Sequence, residues 1–361
     1  MEVRNANEAG RVRLRLPGPA LSIFAVSVII LSTRCPALQR VDAAASASVE
    51  QKAVALMADA IRVVAEARQS AAGPIDRAVD PDGTGLIGDE WSIITTTLGD
   101  LRAKRTATNP LWAAYVVRKM REAGVNPGDV VWATLSGSFP GFNLAVLAAA
   151  QAMGVRLYAA SSLSSSTWGA NLPEFTWIDM EAAVRRAGLF NQGTAAVFLG
   201  GHQDRGPDLF SLLAGDPDAG VAALRAAAAR HPWPLLEPAN LAEAVALRLH
   251  ALVQASGVRR PKLHINAGGP HAALGDCVEP WPSGLTTGAQ PCTGGEPGFL
   301  HAMAAAGVPV LHLLDARTLA AEAGIPFDGR FTLEESFDFG SHSGHSERAV
   351  PDASFDIGPE R

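Results

Sequence analysis

The sequence predicts an α/β protein: a mostly parallel sheet with helices on both faces, preceded by an N-terminal membrane-anchor helix. Three observations carry this. Val130–Ser166 reads as strand, polar turn, helix and second strand, and strands joined through a crossover helix run parallel. Short runs rich in apolar and β-branched residues recur between helical stretches, which suits strands buried on both faces. An uncharged apolar run, Ala20–Leu31, follows Arg4, Arg11, Arg13 and Arg15.

The amino-terminal run comes first in the chain. Counted from Leu16 to Thr33, it spans roughly 27 Å as a helix, close to a ~30 Å hydrocarbon core. Pro17 and Pro19 suit a first helical turn. The arginines stay on the cytoplasmic side, which puts the rest of the chain outside the cytoplasm. An uncleaved anchor is favoured over a cleaved signal peptide, because the nearest Ala-x-Ala sites, around Ala43–Ala47, lie far beyond the apolar run. A soluble cytoplasmic protein with a misplaced start is the other alternative. Residues 1–40 then form a basic stub and anchor. Residues 41–78 form an amphipathic linker helix, with Val54, Met57, Ile61 and Val64 at helical spacing. Residues 79–330 form the α/β domain, as one body or two lobes, with a helical insert at about 207–257, and 331–361 a polar tail.

Within the domain, Asp80–Gly88 is a loop whose acidic residues lack calcium-loop spacing. Ile93–Thr97 is strand-like, though its surroundings also suit a helix. Asn109-Pro110 opens a helix over Leu111–Ala123 that Gly124 ends. Val130–Leu135 is the first strand. Ser136-Gly137-Ser138 breaks it, Phe139-Pro140-Gly141 turns, and Asn143 caps a helix running to Met153. Val155–Ala160 is the second strand. Asp179 caps a helix ending near Gly188. Ala195–Leu199, Lys262–Asn266 and Val308–Leu313 are further strands. Ala219–Arg230, Ala239–Ala255, Pro297–Ala306 and Ala316–Ala323 are helices, the first two without catalytic pattern.

Four strands end in small polar loops: Ser136–Ser138, Ser161–Ser166, Gly200–Asp204 and Asn266–Gly269. In a parallel sheet these loops share one edge, where open α/β sheets bind ligands. Glycine admits close backbone approach, serine supplies short donors, and a helix N-terminus attracts an anion. The plainer alternative is that tight connections use the same residues. The ligand-binding candidates are Ser136, Gly137, Ser138, Asn143, Ser164, Ser165, Ser166, Gly200, Gly201, His202, Asp204, Asn266, Gly268 and Gly269, with Lys104 and Arg105 as counter-charges. Catalytic candidates are Ser138 as nucleophile and Glu90 or Asp179 as acid/base. A Ser138–His202–Asp204 relay is a further arrangement to test against geometry.

The net charge of −6 over 361 residues argues against a broad grip on nucleic acid. No Walker motif or dinucleotide fingerprint follows a strand, so no cofactor is indicated. No cysteine or histidine set has zinc spacing, and His342 and His345 read as part of a solvated tail. Cys277 and Cys292 could pair, closing a loop worth about 3 kcal/mol in the chain-entropy model.

An ordered set of segments resembles a known family. Gly85-Leu86-Ile87-Gly88 with Glu90, ITTTLGDLRAKRT (Ile94–Thr106), SGSFPGFN (Ser136–Asn143), WGANLPEFTWIDME (Trp168–Glu181), LGGHQDRG (Leu199–Gly206) and HINAGGP (His264–Pro270) together resemble the poly-γ-glutamate system protein family, from about Leu86 to Pro326. The resemblance implies a bacterial inner-membrane protein with a single span and its C-terminal domain outside the cytoplasm. It implies a part in making, exporting or anchoring poly-γ-glutamate, with that polymer or another carboxylate ligand and the poly-γ-glutamate synthase complex as partners. It supplies no reaction. A hydrolase or transferase for γ-glutamyl or related amide bonds, and a non-catalytic scaffold, are the alternatives. Two departures fall in the proposed pocket: Ser164-Ser165-Ser166-Thr167 replaces a glycine-alanine-serine turn, and Gly268-Gly269-Pro270 replaces three glycines.

Overall fold

The computed structural model describes residues 36–206, 216 and 218–331. The expected anchor, the tail from 332 on, and His342 and His345 lie outside the described residues. Among the described residues no helix is long and apolar enough to cross a membrane. The chain divides into two units, Met1–Ser46 and Ala47–Arg361, and the second holds the sheet.

That sheet has seven strands. In chain order they are β1 (Val130–Ser136), β2 (Arg156–Ser162), β5 (Gly193–Phe198), β6 (Leu235–Leu236), β7 (Leu263–Ala267), β8 (Gly284–Thr286) and β9 (Val310–Leu313), with β3 (Asn171–Leu172) and β4 (Phe175–Thr176) forming a separate hairpin. The spatial order is β6-β5-β2-β1-β7-β9-β8. Every pair is parallel except β8 with β9. All residues of β1, β7 and β9 are buried, as expected of central parallel strands covered on both faces. The chain builds outward from β1 through β2, β5 and β6, then returns to the other side of β1 with β7 and β9. The order therefore reverses between β1 and β7, and a crevice opens at such a point.

The helices are α1 (Pro36–Ala72), α2 (Leu101–Ala107), α3 (Leu111–Glu122), α4 (Pro140–Met153), α5 (Trp177–Arg186), α6 (Ala219–Ala228), α7 (Leu241–Ser256), α8 (His271–Leu274), α9 (Phe299–Ala305) and α10 (Ala316–Ala323). One sheet face carries Val131, Ala133, Leu135, Ile265 and Leu311 into a core shared with side chains of α1, α3, α4, α5 and α10. The opposite face carries Trp132, Ala160, Phe198 and Val310 into a smaller core with Leu252 of α7 and Phe299, Leu300 and Met303 of α9. Side chains that alternate along each strand supply the two cores separately.

In the stretch expected to link membrane and body, Met57, Ile61 and Val64 of α1 are fully buried in the larger core, so the apolar stripe faces the domain. Two expectations are corrected. Helix α4 starts at Pro140, with Phe139 at the cap position, because proline's fixed φ presets a first helical turn. Asn143 lies within that first turn, where its Nδ2 donates to Ser136 O at 2.9 Å. Ile93–Thr97 forms no strand; Thr95 makes a single parallel bridge to Ser165.

Candidate functional site

At the carboxyl edge of the sheet, the loops after β1, β2, β5 and β7 meet around a cavity of about 260 Å³. Ser136 and Ser138 come from the first loop, Ser162 and Ser164 from the second, Gly200, Gly201 and His202 from the third, and Gly269, Pro270 and His271 from the fourth. Thr96 and Thr97 close one side. The four loops singled out in the sequence thus share one cavity.

The loops are locked to one another before any ligand arrives. Gly137 N donates to Ser162 O at 3.1 Å, and Ala170 N donates to Gly137 O at 2.8 Å. Ser165 Oγ donates to Gly137 O at 3.1 Å. Ser138 Oγ accepts from Ser166 N at 3.0 Å, and Ser136 Oγ accepts from Ser138 N at 3.1 Å. Two glycines are required by space: a Cβ on Gly137 would stand 2.8 Å from Ser164 O, and one on Gly200, at φ +79°, would meet Ser164 Oγ at 2.2 Å. Gly137, Ser165 and Asn143 therefore shape the wall, while Ser136, Ser138, Ser162 and Ser164 present side chains at it. Ser162 Oγ accepts from Arg248 Nη2 at 3.2 Å, which leaves its own proton to donate. Gly268 turns at φ +90° beside Ser136. Asn266 Nδ2 donates to Gly268 O at 2.7 Å and meets His312 Nδ1 at 2.9 Å.

Two buried cations stand behind the cavity. Lys104 is 3 % exposed on α2. Its Nζ donates to Ser138 O and to Ser166 Oγ at 2.6 Å, and lies 3.8 Å from the Phe139 ring centroid, a cation–π contact. No carboxylate among the described residues pairs with it, and burial pulls its pKa down to about 7. Arg248 is fully buried on α7 and pairs with Asp204, with Nη2 at 2.9 Å from Asp204 Oδ1 and its guanidinium over Phe198. Burial lowers the Arg248 pKa to about 9.

Beneath the cavity the same sheet face carries a polar inlay. His264 Nε2 meets Thr134 Oγ1 at 3.2 Å. Burial, with His312 and Arg248 nearby, drops the His264 pKa to about 3, and burial drops His312 to about 4. Among the described residues, Arg248 Nε, His264 Nδ1, Asn266 Oδ1 and His312 Nε2 have no hydrogen-bond partner.

Several sequence candidates lie elsewhere. Adjacent helical residues point about 100° apart, so Arg105 turns away from Lys104. Its guanidinium holds Val79 O at 2.8 Å and Ala78 O at 2.9 Å and approaches Asp328 at 3.6 Å. Glu90 lines a second cavity of about 330 Å³, with Arg68, Asp80, Asp89, Trp91 and Trp168. Asp179 is not the cap of α5. Thr176 is, and Asp179 at the third helical position completes a capping box. Asp179 also binds Arg230 at 2.7 Å and His231 at 2.8 Å. Burial opposes its charge, but hydrogen bonds from His231, Arg230 and Thr176 hold its pKa at about 2. The Ser138–His202–Asp204 relay does not form, because Asp204 is committed to Arg248.

Sequence reading missed Arg248, His271 and, in the inlay, Thr134, His264 and His312. His271 Nδ1 accepts from Gln203 N at 3.1 Å, which leaves the ring proton on Nε2 to donate to Asp276 Oδ1 at 2.7 Å. The His202 ring lies 4.5 Å from it, centroid to centroid. A signal for Arg248 did exist: it shares a buried stripe with Leu241, Ala244 and Leu252, so a charge stands where the helical period demands a hydrocarbon. Away from the cleft, Cys277 and Cys292 form a disulfide with Cα atoms 4.9 Å apart, and His301 Nε2 lies 3.5 Å from Cys277 Sγ.

No protein-family model matches this chain, and no curated protein matches it. Among solved structures, O-ureido-L-serine synthase matches at 15 % identity, over 67 % of this chain and 76 % of that one, with a TM-score of 0.17. A hydrogen sulfide-producing enzyme from Fusobacterium nucleatum matches at 9 % identity, over 71 % and 88 %, with a TM-score of 0.18. Likenesses this weak carry no argument about this chain.

Proposed function

We propose that this protein is a membrane-anchored accessory component of bacterial poly-γ-glutamate biosynthesis, export or anchoring, and that its cleft holds a carboxylate-bearing segment of the polymer. One observation supports the ligand reading above the others: the loops at the strand-order reversal surround a single cavity with serine hydroxyls at its wall and an unbalanced buried ammonium, Lys104, behind it. Arg248 adds no net charge, since Asp204 offsets it. Helix α4 begins at Pro140, one residue beyond the Ser136-Gly137-Ser138 turn, so its amino end adds a partial positive charge near the same wall. The assignment to a pathway rests on the ordered segments that resemble the poly-γ-glutamate system family.

Titrating the purified protein with γ-linked glutamate oligomers at low salt tests the ligand reading, because exposed charge contacts are strongest there. Saturable binding that weakens with added salt, with α-linked oligomers binding less well, is the expected result. No binding at low salt overturns it. Co-purification with the polyglutamate synthase tests the partner.

A further inference from the structure

Anion binding does not explain why the cleft's unbalanced cation is a buried lysine. An arginine would hold a carboxylate in two hydrogen bonds and keep its charge at any working pH. The chain has four lysines, Lys52, Lys104, Lys119 and Lys262. Lys52 and Lys262 are exposed, and Lys119 pairs with Glu122 at 2.9 Å and with Glu322 at 2.5 Å. Of the four, only Lys104 is buried, and among the described residues its nitrogen meets a carbonyl oxygen, a hydroxyl and a ring. An amine with a pKa near 7 is about half unprotonated at neutral pH, against about one part in 2,500 for an ordinary lysine. Desolvated lysines of this kind attack carbonyl groups.

We propose that Lys104 is a covalent capture site, whose amine condenses reversibly with the aldehyde or α-keto group of a small carboxylate seated in the cleft. The inference rests on the reading of the cleft as an anion site. The geometry fits. Ser138 lines the cavity, and Lys104 Nζ donates to the carbonyl of that same residue, so the amine stands one residue behind the wall. Gly99 leaves room for the side chain, since a Cβ there would come within 2.9 Å of Lys104 Cε. Capture requires Nζ to leave both Ser138 O and Ser166 Oγ and turn toward the cavity. The ammonium gives a proton to solvent, and the nitrogen lone pair attacks the carbonyl carbon. The resulting carbinolamine loses water as the C=N bond forms. No oxidant or reductant is needed.

The test treats the full-length protein with glyoxylate, the smallest carboxylate-bearing aldehyde, and reduces any imine with cyanoborohydride at pH 7. Peptide mapping then locates carboxymethyl-lysine. Acetaldehyde, which lacks the carboxylate, is the control. The expected result is Lys104 modified at least tenfold faster than Lys52, Lys119 or Lys262 by glyoxylate, with that preference lost for acetaldehyde. Even labelling of all four lysines, or labelling of the exposed ones alone, overturns the proposal. The wild-type map needs no variant. Lys104→Arg, which removes the nucleophile, adds a second check, since it should abolish the adduct. If γ-glutamate oligomers bind while Lys104 stays unmodified, covalent capture is overturned and the anion cleft stands. If Lys104 is modified selectively by glyoxylate while the oligomers fail to bind, capture stands and the polymer reading falls.

Discussion

On one face of the sheet, β1, β7 and β9 present Val131, Ala133, Leu135, Ile265, Leu311 and Leu313, all hydrocarbon. On the other, the same three strands present Thr134, Ser136, His264, Asn266 and His312, all buried, beside Trp132 and Val310 of the smaller core. The strands are shared, so strand propensity and backbone pairing do not account for the contrast. Burying the apolar face contributes about 25 cal/mol per Å² removed from water. Burying the polar face costs free energy wherever an atom is left unpaired, and four such atoms cluster there on Arg248, His264, Asn266 and His312. The costly face lies beneath the cleft. The buried polar groups are thus gathered on one side of the sheet, next to the cavity and a smaller apolar core.

The contrast can be broken most directly with pH. Both imidazoles are buried, and their pKa values sit near 3 and 4, below the ordinary 6.5. From pH 6.5 downward the unfolded chain binds protons that the folded protein refuses. Their contribution to stability is therefore complete above pH 6.5 and lost as pH falls toward 4. Each imidazole should steepen that loss by about 1.4 kcal/mol per pH unit, several kcal/mol in all. Urea unfolding at steps from pH 7.5 to 4.5 measures it. His264→Phe with His312→Leu should flatten the profile, and a flat wild-type profile would dissolve the contrast.

Arg248→Met comes next. It leaves Asp204 buried without its partner and should cost about 3–5 kcal/mol by chemical denaturation. Replacing Asp204 by leucine in the same protein should recover much of that loss while weakening oligomer binding, since Ser162 loses its donor. Full recovery of both stability and binding would mean that the polar face serves neither.

The apolar face should respond in the opposite sense. Ile265→Val should cost about 1 kcal/mol and leave oligomer affinity unchanged. Ser138→Ala should cost least in stability, under about 1 kcal/mol, because water at the half-buried rim can replace the acceptor of Ser166 N–H. Its larger effect should fall on oligomer affinity, several-fold weaker by titration. An unchanged affinity would remove Ser138 from the site, and equal or absent polymer turnover in both proteins would remove it as a nucleophile.

Much of the cleft was legible because it is made of chain segments with local signatures. Serine and glycine at the end of an apolar run mark a strand-to-helix turn wherever they occur, and parallel pairing forces such turns onto one edge. Lys104 was legible as a charge, but its separation from Arg105 depends on which side of a seven-residue helix meets the body. His264 and His312 looked like ordinary strand residues. Their partners come from β1 and β7, far away in the chain, and their unpaired nitrogens become visible only once the neighbours are in place.

The amino-acid order alone determined the alternation of strands and helices, the four small polar turns and the pair of cysteines able to meet, because each depends on residues close together in the chain. Only the tertiary structure decided that β7 returns beside β1 to open the crevice, that Asp204 is spent on Arg248, that Asp179 ties α5 to Arg230 and His231, and that Lys104 is buried with no counter-ion among the described residues. The physical reason is that burial and charge pairing are set by whichever distant segments come to surround a group, and no local pattern encodes those neighbours.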